Sequence, residues 1–227
     1  MACIAENLQA TRSQIAAAQL DENHPVTLIA VSKMQGIDLI EQSIEAGQRV
    51  FGENYVQEAV EKIKALQSHD LEWHFIGPIQ SNKTKPLAEN FDWVQSVDRL
   101  KIAERLNDAR PADKAPLNIC LQVNVSGEAS KSGVAPTEVA ALAREVARLP
   151  RLNLRGLMAI PEALNDENEQ RKAFRELKSL FEQLKQQGYA LDTLSMGMSG
   201  DFKAAIAEGA THVRIGSALF GERKKLA

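Results

Sequence analysis

The sequence predicts an α/β protein built as a single (β/α)8 barrel with one extra helix at its N-terminus. Three observations carry that prediction. Eight short runs rich in β-branched and aromatic residues alternate with stretches of helical spacing along the 227 residues. Such alternation implies parallel strands joined by right-handed crossovers, and eight units in this length suit a closed barrel. No Pro/Gly/Ser-rich linker or low-complexity block divides the chain, so residues 1–227 read as one domain. A doubly wound open sheet is the alternative.

Residues 2 to 20 carry Ile4, Leu8, Ile15 and Leu20 at amphipathic helical spacing, and His24 and Pro25 break that helix. Val26 to Lys33 is the first strand, an apolar β-branched run that ends abruptly in a lysine. Ile37 to Ala46 is helical and Gly47 closes it. Arg49 to Gly52 forms the second strand, and a helix over 54–67 follows with Tyr55, Val56, Ala59, Ile63 and Leu66 on its apolar side. Trp73 to Gly77 is the third strand, and the next helix is expected to be capped by Ser81 and to end near Asn90. Trp93 to Val97 is the fourth, followed by a helix marked by Leu100, Ile102, Ala103 and Leu106. Asn118 to Val125 is the fifth, with Cys120, Gln122 and Asn124 on one face, and a helix opens at Pro136 and runs to about Arg148. Leu154 to Ala159 is the sixth strand. A long polar helix from about Asn165 to Gln187 buries Phe174, Leu177, Phe181 and Leu184. Thr193 to Met196 is the seventh strand, Phe202 to Glu208 is helical, and His212 to Ile215 is the eighth strand.

Composition narrows the class of function. With 44% hydrophobic and 25% charged residues the chain is an ordinary globular protein. A formal net charge of -3 gives no basic footprint for nucleic acid, and no apolar run approaches the roughly 20 residues that cross a bilayer. The first residues, Met1 Ala2 Cys3 Ile4 Ala5 Glu6, do not read as a secretory signal, so a cytoplasmic location is expected. Cys3 and Cys120 are too few for a disulfide framework and lack metal-ligand spacing; Cys120 reads as a small buried hydrophobe. The run Glu222 Arg223 Lys224 Lys225 reads as a solvated tail.

In a barrel of this kind the residues after each strand build the functional face. Those positions are Lys33, Asn54, Gly77, Met158, Ser199 and Gly216. A phosphate often sits between the loops after strands seven and eight, held by backbone N–H groups at a helix start. Gly197 Met198 Ser199 Gly200 Asp201 offers glycine flexibility, a hydroxyl and a helix start, and Gly216 Ser217 Ala218 repeats them. Strand parity turns Val213 and Ile215 outward and leaves His212 and Arg214 pointing into the barrel. A buried guanidinium needs partners, so Arg214 either closes an internal ion pair or touches a ligand. An inward lysine, an inward arginine and a phosphate nest suggest a phosphorylated ligand with an electrophilic carbon that Lys33 captures as a Schiff base. Pyridoxal phosphate and a sugar phosphate both match.

Several segments carry a resemblance. Val31 Ser32 Lys33, Phe51 Gly52 Glu53 Asn54 Tyr55 Val56 Gln57 Glu58, Trp73 to Gly77 with Gln80 Ser81 Asn82 Lys83, Gly156 Leu157 Met158, Ser195 to Ser199 and Arg214 to Ser217 resemble the pyridoxal phosphate homeostasis proteins, the YggS/PROSC family, in the right order along nearly the whole chain. The resemblance implies a fold-type III barrel like the N-terminal domain of alanine racemase. It implies that Lys33 carries pyridoxal 5'-phosphate as a Schiff base, that Ser199 with Gly216 and Ser217 holds the phosphate, and that Arg214 faces the pyridine nitrogen. Asn54 and Met158 would line the pocket. Two departures stand out: Met34 Gln35 Gly36 replaces the usual Thr, Lys or Pro after the lysine, and Ser217 stands where threonine is frequent but keeps the hydroxyl.

The same resemblance implies a carrier or regulator of pyridoxal phosphate, with apo-enzymes that need the cofactor as possible recipients, and with no established catalysis. Arginine cannot accept a proton at the pyridine nitrogen, so the electron sink is expected to be weak. A racemase of the alanine racemase type also needs an acid/base group opposite the lysine, supplied there by a tyrosine from an added β-domain. The tyrosines of this chain are Tyr55 and Tyr189. Without a dimerisation domain of that kind, a monomer is expected. A racemase and a class I aldolase using the same lysine are the competing readings.

Overall fold

A computed structural model describes residues 3–19, 24–126, 132–162, 164 and 166–221. The helix α1 spans Ile4–Ala18 and is followed by β1 Thr27–Val31, α2 Ile37–Glu45, β2 Val50–Glu53, α3 Val56–Ala65, β3 Glu72–Phe75, α4 Thr84–Asn90, β4 Trp93–Val97 and α5 Leu100–Ala109. Then come β5 Leu117–Gln122, α6 Val139–Val146, β6 Leu152–Met158, α7 Glu167–Gln186, β7 Thr193–Met198, α8 Phe202–Ala207, β8 His212–Ile215 and α9 Ser217–Phe220. The eight strands pair in parallel in sequence order, and β8 closes on β1 with Thr27 opposite His212. The expected barrel is therefore present.

Parallel strands covered on both faces read as nearly unbroken apolar runs, because neither face meets water. All five residues of β4 are buried, as are the last four of β1. The outer faces and the helices share one core that includes Leu28, Ala30, Phe51, Phe75, Val94, Ile119, Leu121, Val213 and Ile215. Each large side chain so buried contributes on the order of 2 kcal/mol. Inside the barrel, Trp93, Cys120 and Met158 form a separate apolar cluster. Gly156 lets β6 approach β7, since a Cβ there would lie 1.7 Å from the Thr193 carbonyl oxygen.

Helix α1 braces the seam between β1 and β8. It buries Ile4, Leu8, Thr11 and Ile15, Asn7 Nδ2 donates to Leu219 O, and Arg12 donates to Ala46 O and Gln48 Oε1. The long helix α7 is capped by the Asp166 side chain, which accepts from Glu169 N at 3.0 Å. Several boundaries move. Ser81 does not cap: it begins a 3-10 turn, Ser81–Lys83, with no side-chain cap bond, and its carbonyl accepts from Thr84 Oγ1 and Arg105 instead. Pro136 likewise opens a 3-10 turn, Pro136–Glu138, ahead of α6. The fifth strand stops at Gln122 because Val123 leaves the ladder for an isolated bridge to Val134. Leu20, Asn165 and Glu222 to Lys225 lie outside the described residues. No described helix is long and apolar enough to cross a membrane.

Candidate ligand-binding site

Lys33 stands half-buried in the turn after β1, and both of its neighbours are pinned. On one side Ser32 N donates to Gly52 O at 3.0 Å, Ser32 Oγ donates to Glu53 Oε1 at 2.7 Å, and Lys62 Nζ donates to Ser32 O at 2.7 Å. On the other side Met34 N donates to Glu58 Oε1 at 2.6 Å. Lys62 joins the two supports, lying 2.8 Å from Glu53 and 2.5 Å from Glu58. Met34 adopts φ 61, a left-handed conformation that a residue with a Cβ enters only at some cost, on the order of 1 kcal/mol. The cluster thus holds the lysine-bearing turn in a shape it would not choose alone.

This support was not assigned any role from the sequence. In the sequence Glu53 and Glu58 stand within the family-like segment 51–58, and Lys62 lies outside it. A signal existed: Val56, Ala59 and Lys62 share the buried face of α3, so a lysine occupies an apolar stripe. Glu53 is fully buried, and burial pushes its carboxyl above the usual carboxylate range although Lys62 and Ser32 oppose the shift. Its second oxygen, Oε2, has no hydrogen-bond partner, and neither does Asn54 Oδ1 at the tip of β2. A buried acceptor left unpaired costs about 1–3 kcal/mol, which a ligand donor would recover. Asn54 is also crowded against the third strand's loop, since a Cβ on Gly77 would lie 2.4 Å from Asn54 O.

At the adjoining edge of the mouth, across the β1 and β8 seam, the two glycine-serine segments meet. Gly197 has φ +94, which carries the chain from β7 into the turn before α8. Ser199 and Ser217 face each other, with Ser217 Oγ donating to Ser199 Oγ at 3.2 Å. Gly216 precedes α9, and a Cβ there would come within 3.2 Å of Val31 O. The tip of β8 therefore packs on the tip of β1, two residues before Lys33. Asp201 takes the Met198 N–H at 2.6 Å, and burial pushes its carboxyl upward.

Arg214 points into the barrel as strand parity requires and is 3% exposed. It forms no ion pair with a described residue. Its Nη1 donates to Ser195 Oγ and its Nη2 to Ala159 O, both at 2.7 Å. Burial lowers its pKa to about 10, which leaves it charged at neutral pH. Met158 is fully buried beside Trp93 and Cys120, at the level of Ser195, its partner across the β6 and β7 ladder. It belongs to the floor and not to the rim. Burial pushes the Cys120 thiol up, so it is inert as a nucleophile. Among the described residues no His/Cys/Asp/Glu group could hold a metal ion. A cavity of about 630 Å³ opens at the other end of the barrel, by Thr27, Asp192 and His212, away from these groups.

Comparison with known proteins agrees with this fold. Residues 4–224 match the family model described as alanine racemase, N-terminal domain. A protein of Pseudomonas aeruginosa named pyridoxal phosphate homeostasis protein is 57% identical over 226 residues, covering 98% of this chain and 97% of its own. The chain belongs to the pyridoxal phosphate homeostasis protein family. A second member, from Escherichia coli K12, is 51% identical, with 97% of each chain covered. PipY of Synechococcus elongatus, solved with PLP bound, is 40% identical with a TM-score of 0.85, covering 96% of this chain and all of its own. An alanine racemase of Clostridium difficile shares the barrel alone, at 16% identity and a TM-score of 0.76, and the match spans 57% of it.

Proposed function

We propose that this protein binds pyridoxal 5'-phosphate and serves its homeostasis as a carrier, holding the cofactor on Lys33. The carrying observation is the packing of Gly216 against Val31, which sets the Ser199 and Ser217 hydroxyls beside the turn that presents Lys33. The amine condenses with the aldehyde carbon, releasing water and masking a reactive group. Ser199, Gly216 and Ser217 receive the phosphate, Arg214 meets the ring nitrogen, and Asn54 and Met158 line the pocket. The relatives named for the same homeostasis role and the cofactor in PipY support this reading.

A carrier suits the site better than an enzyme. Bound pyridoxal phosphate supplies an electrophilic carbon and an electron sink, and the sink is strong only when a carboxylate keeps the ring nitrogen protonated. Arg214 can only donate, so it favours an unprotonated ring. Of the two tyrosines, Tyr189 packs against the outer core, and Tyr55 is 52% exposed at the start of α3. We infer a cytoplasmic monomer that passes the cofactor to apo-enzymes.

The test is the visible spectrum of the protein with pyridoxal phosphate, before and after borohydride, followed by peptide mapping. The expected result is a band lost on reduction, a label on Lys33, and loss of both in Lys33→Ala. A label elsewhere would sink the assignment of Lys33. Racemisation of an amino acid that disappears in Lys33→Ala would replace the carrier by an enzyme.

A further inference from the structure

Five side chains thread the barrel in one hydrogen-bonded line. Arg214 Nη1 donates to Ser195 Oγ at 2.7 Å, and Ser195 Oγ donates to Gln95 Oε1 at 2.6 Å. Gln95 Nε2 is 2.8 Å from His74 Nδ1, and His74 Nε2 is 2.7 Å from Glu72 Oε1. The line crosses from β8 to β7, β4 and β3. Arg214 is near the ligand end, whereas Glu72 is the first residue of β3 and so lies at the opposite end of the barrel.

The chemistry of the two ends orients every link. A carboxylate only accepts and a guanidinium only donates. Burial holds His74 below its ordinary range, so the ring is neutral and has one proton to give. If Nε2–H serves Glu72, then Nδ1 must accept, and Gln95 must turn its amide nitrogen toward it. The amide oxygen of Gln95 then faces Ser195, whose hydroxyl proton goes to Gln95 and whose lone pair takes the Arg214 proton. The Arg214 end is consistent with this orientation, since a lone pair of the Ser195 oxygen remains for the guanidinium. The His74 ring is further fixed by stacking on Trp93, with centroids 5.0 Å apart and planes 10° apart.

Barrel interiors are usually filled by layers of branched apolar side chains. Buried polar residues are the costlier choice, and this line ends on the one arginine assigned to the ligand. We propose that Glu72 and His74 are positioning residues for the ring-nitrogen end of the pocket, acting on Arg214 through Gln95 and Ser195. The proposal rests on the pyridoxal phosphate reading for its ligand, and not for the chain itself. A chain that merely satisfied buried groups would affect stability and leave the ligand's affinity and spectrum alone.

The experiment titrates pyridoxal phosphate into the full-length protein and into Glu72→Leu, Gln95→Leu and the double variant. Glu72 is 44% exposed at its side chain, so its replacement opens no cavity in the core. Each single variant is expected to weaken binding about tenfold and to shift the visible band, the loss of one buried hydrogen bond. The double variant should match Gln95→Leu, because one line is broken twice. Glu72→Gln keeps an acceptor and should restore affinity. Wild-type affinity and band in Glu72→Leu, or losses that multiply to about a hundredfold, overturn the proposal. Ring ¹⁵N shifts of His74 in the ligand-free protein test the chain alone. A single Nε2–H tautomer is expected in the wild type and a mixture in Glu72→Leu. An Nδ1–H tautomer or an imidazolium in the wild type overturns the polarity, whatever binds above it. Failure of the wild type to bind pyridoxal phosphate would instead overturn the function.

Discussion

The two edges of the mouth are built from opposite materials. At the tips of β1 and β2 the chain is held by charged side chains: Lys62, Glu53 and Glu58 brace the residues on both sides of Lys33. At the tips of β7 and β8 the chain is held by backbone turns, two hydroxyls and the single carboxylate of Asp201, which takes the Met198 N–H and forms no ion pair with a described residue. The difference follows from what each edge is proposed to receive. A phosphate brings its own charge, and neutral N–H and O–H donors suffice for it. A covalent anchor must be aimed, and a strained turn at Met34 stays aimed only if it is over-determined. Ion pairs therefore secure the protein's own backbone at one edge, and neutral donors are left for the ligand at the other.

The sharpest way to break this comparison is Lys62→Met. It removes the cation that serves Glu53, Glu58 and Ser32 O, and leaves a fully buried carboxylate without its partner. Breaking a buried pair from one side costs about 3–5 kcal/mol. Urea unfolding should show a loss of this size, and adding Glu53→Gln should recover more than half of it. A loss under about 1 kcal/mol would mean that the cluster is no brace. The same variant should slow the reaction of Lys33 with pyridoxal phosphate, because its turn is freed.

How much of this was legible in the sequence differs between the same two edges. The strands were readable because their apolar runs are buried on both faces, and parity alone turned Arg214 inward. The glycine-serine segments were readable because a turn with positive φ advertises itself through Gly197. The brace was not readable, although Lys62 sits on an apolar stripe, because its partners come from β1 and β2. Periodicity states which face a residue occupies and is silent on what meets it there. The interior line makes the same point: Gln95 and Ser195 are 100 positions apart and touch only because the barrel closes. Ser81 failed as a cap for a local reason, since it is the first residue of a 3-10 turn and Gln80 holds the cap position.

A second prediction concerns the foot of the barrel, beneath the neutral edge. Burial, and then the nearby His74, hold His212 down to about 3, against an ordinary value of 6.5. Burial also lowers His74. The unfolded chain therefore binds more protons than the folded one between about pH 3 and 6.5, so stability rises with pH across that window. It is fully present above 6.5 and is lost as pH falls, by up to about 1.4 kcal/mol per pH unit for His212, and His74 acts in the same direction. His212→Asn should flatten the acid limb of a melting-temperature profile. A profile unchanged by His212→Asn would show that His212 is hydrated and ordinary. Glu53 has the opposite sign, since its raised pKa makes stability fall as pH rises through its titration, so a plateau below pH 6.5 would mean that the brace offsets the histidines there.

The smallest expected change in stability separates the edges most clearly. Ser217 is exposed, and its hydroxyl bonds to Ser199 at 3.2 Å without capping a helix. Ser199→Ala and Ser217→Ala should each alter stability by no more than about 0.5 kcal/mol, as at most exposed positions. Both should nevertheless weaken pyridoxal phosphate about tenfold and leave pyridoxal, which lacks the phosphate, at wild-type affinity. If pyridoxal weakens equally, the hydroxyls serve some other part of the ligand. If stability falls by several kcal/mol, the β7 and β8 edge is a structural brace like the β1 and β2 edge, and the division of labour between them is wrong. Lys62→Met should give the mirror image, a large loss of stability with an equal effect on pyridoxal and pyridoxal phosphate, because both present the same aldehyde to Lys33.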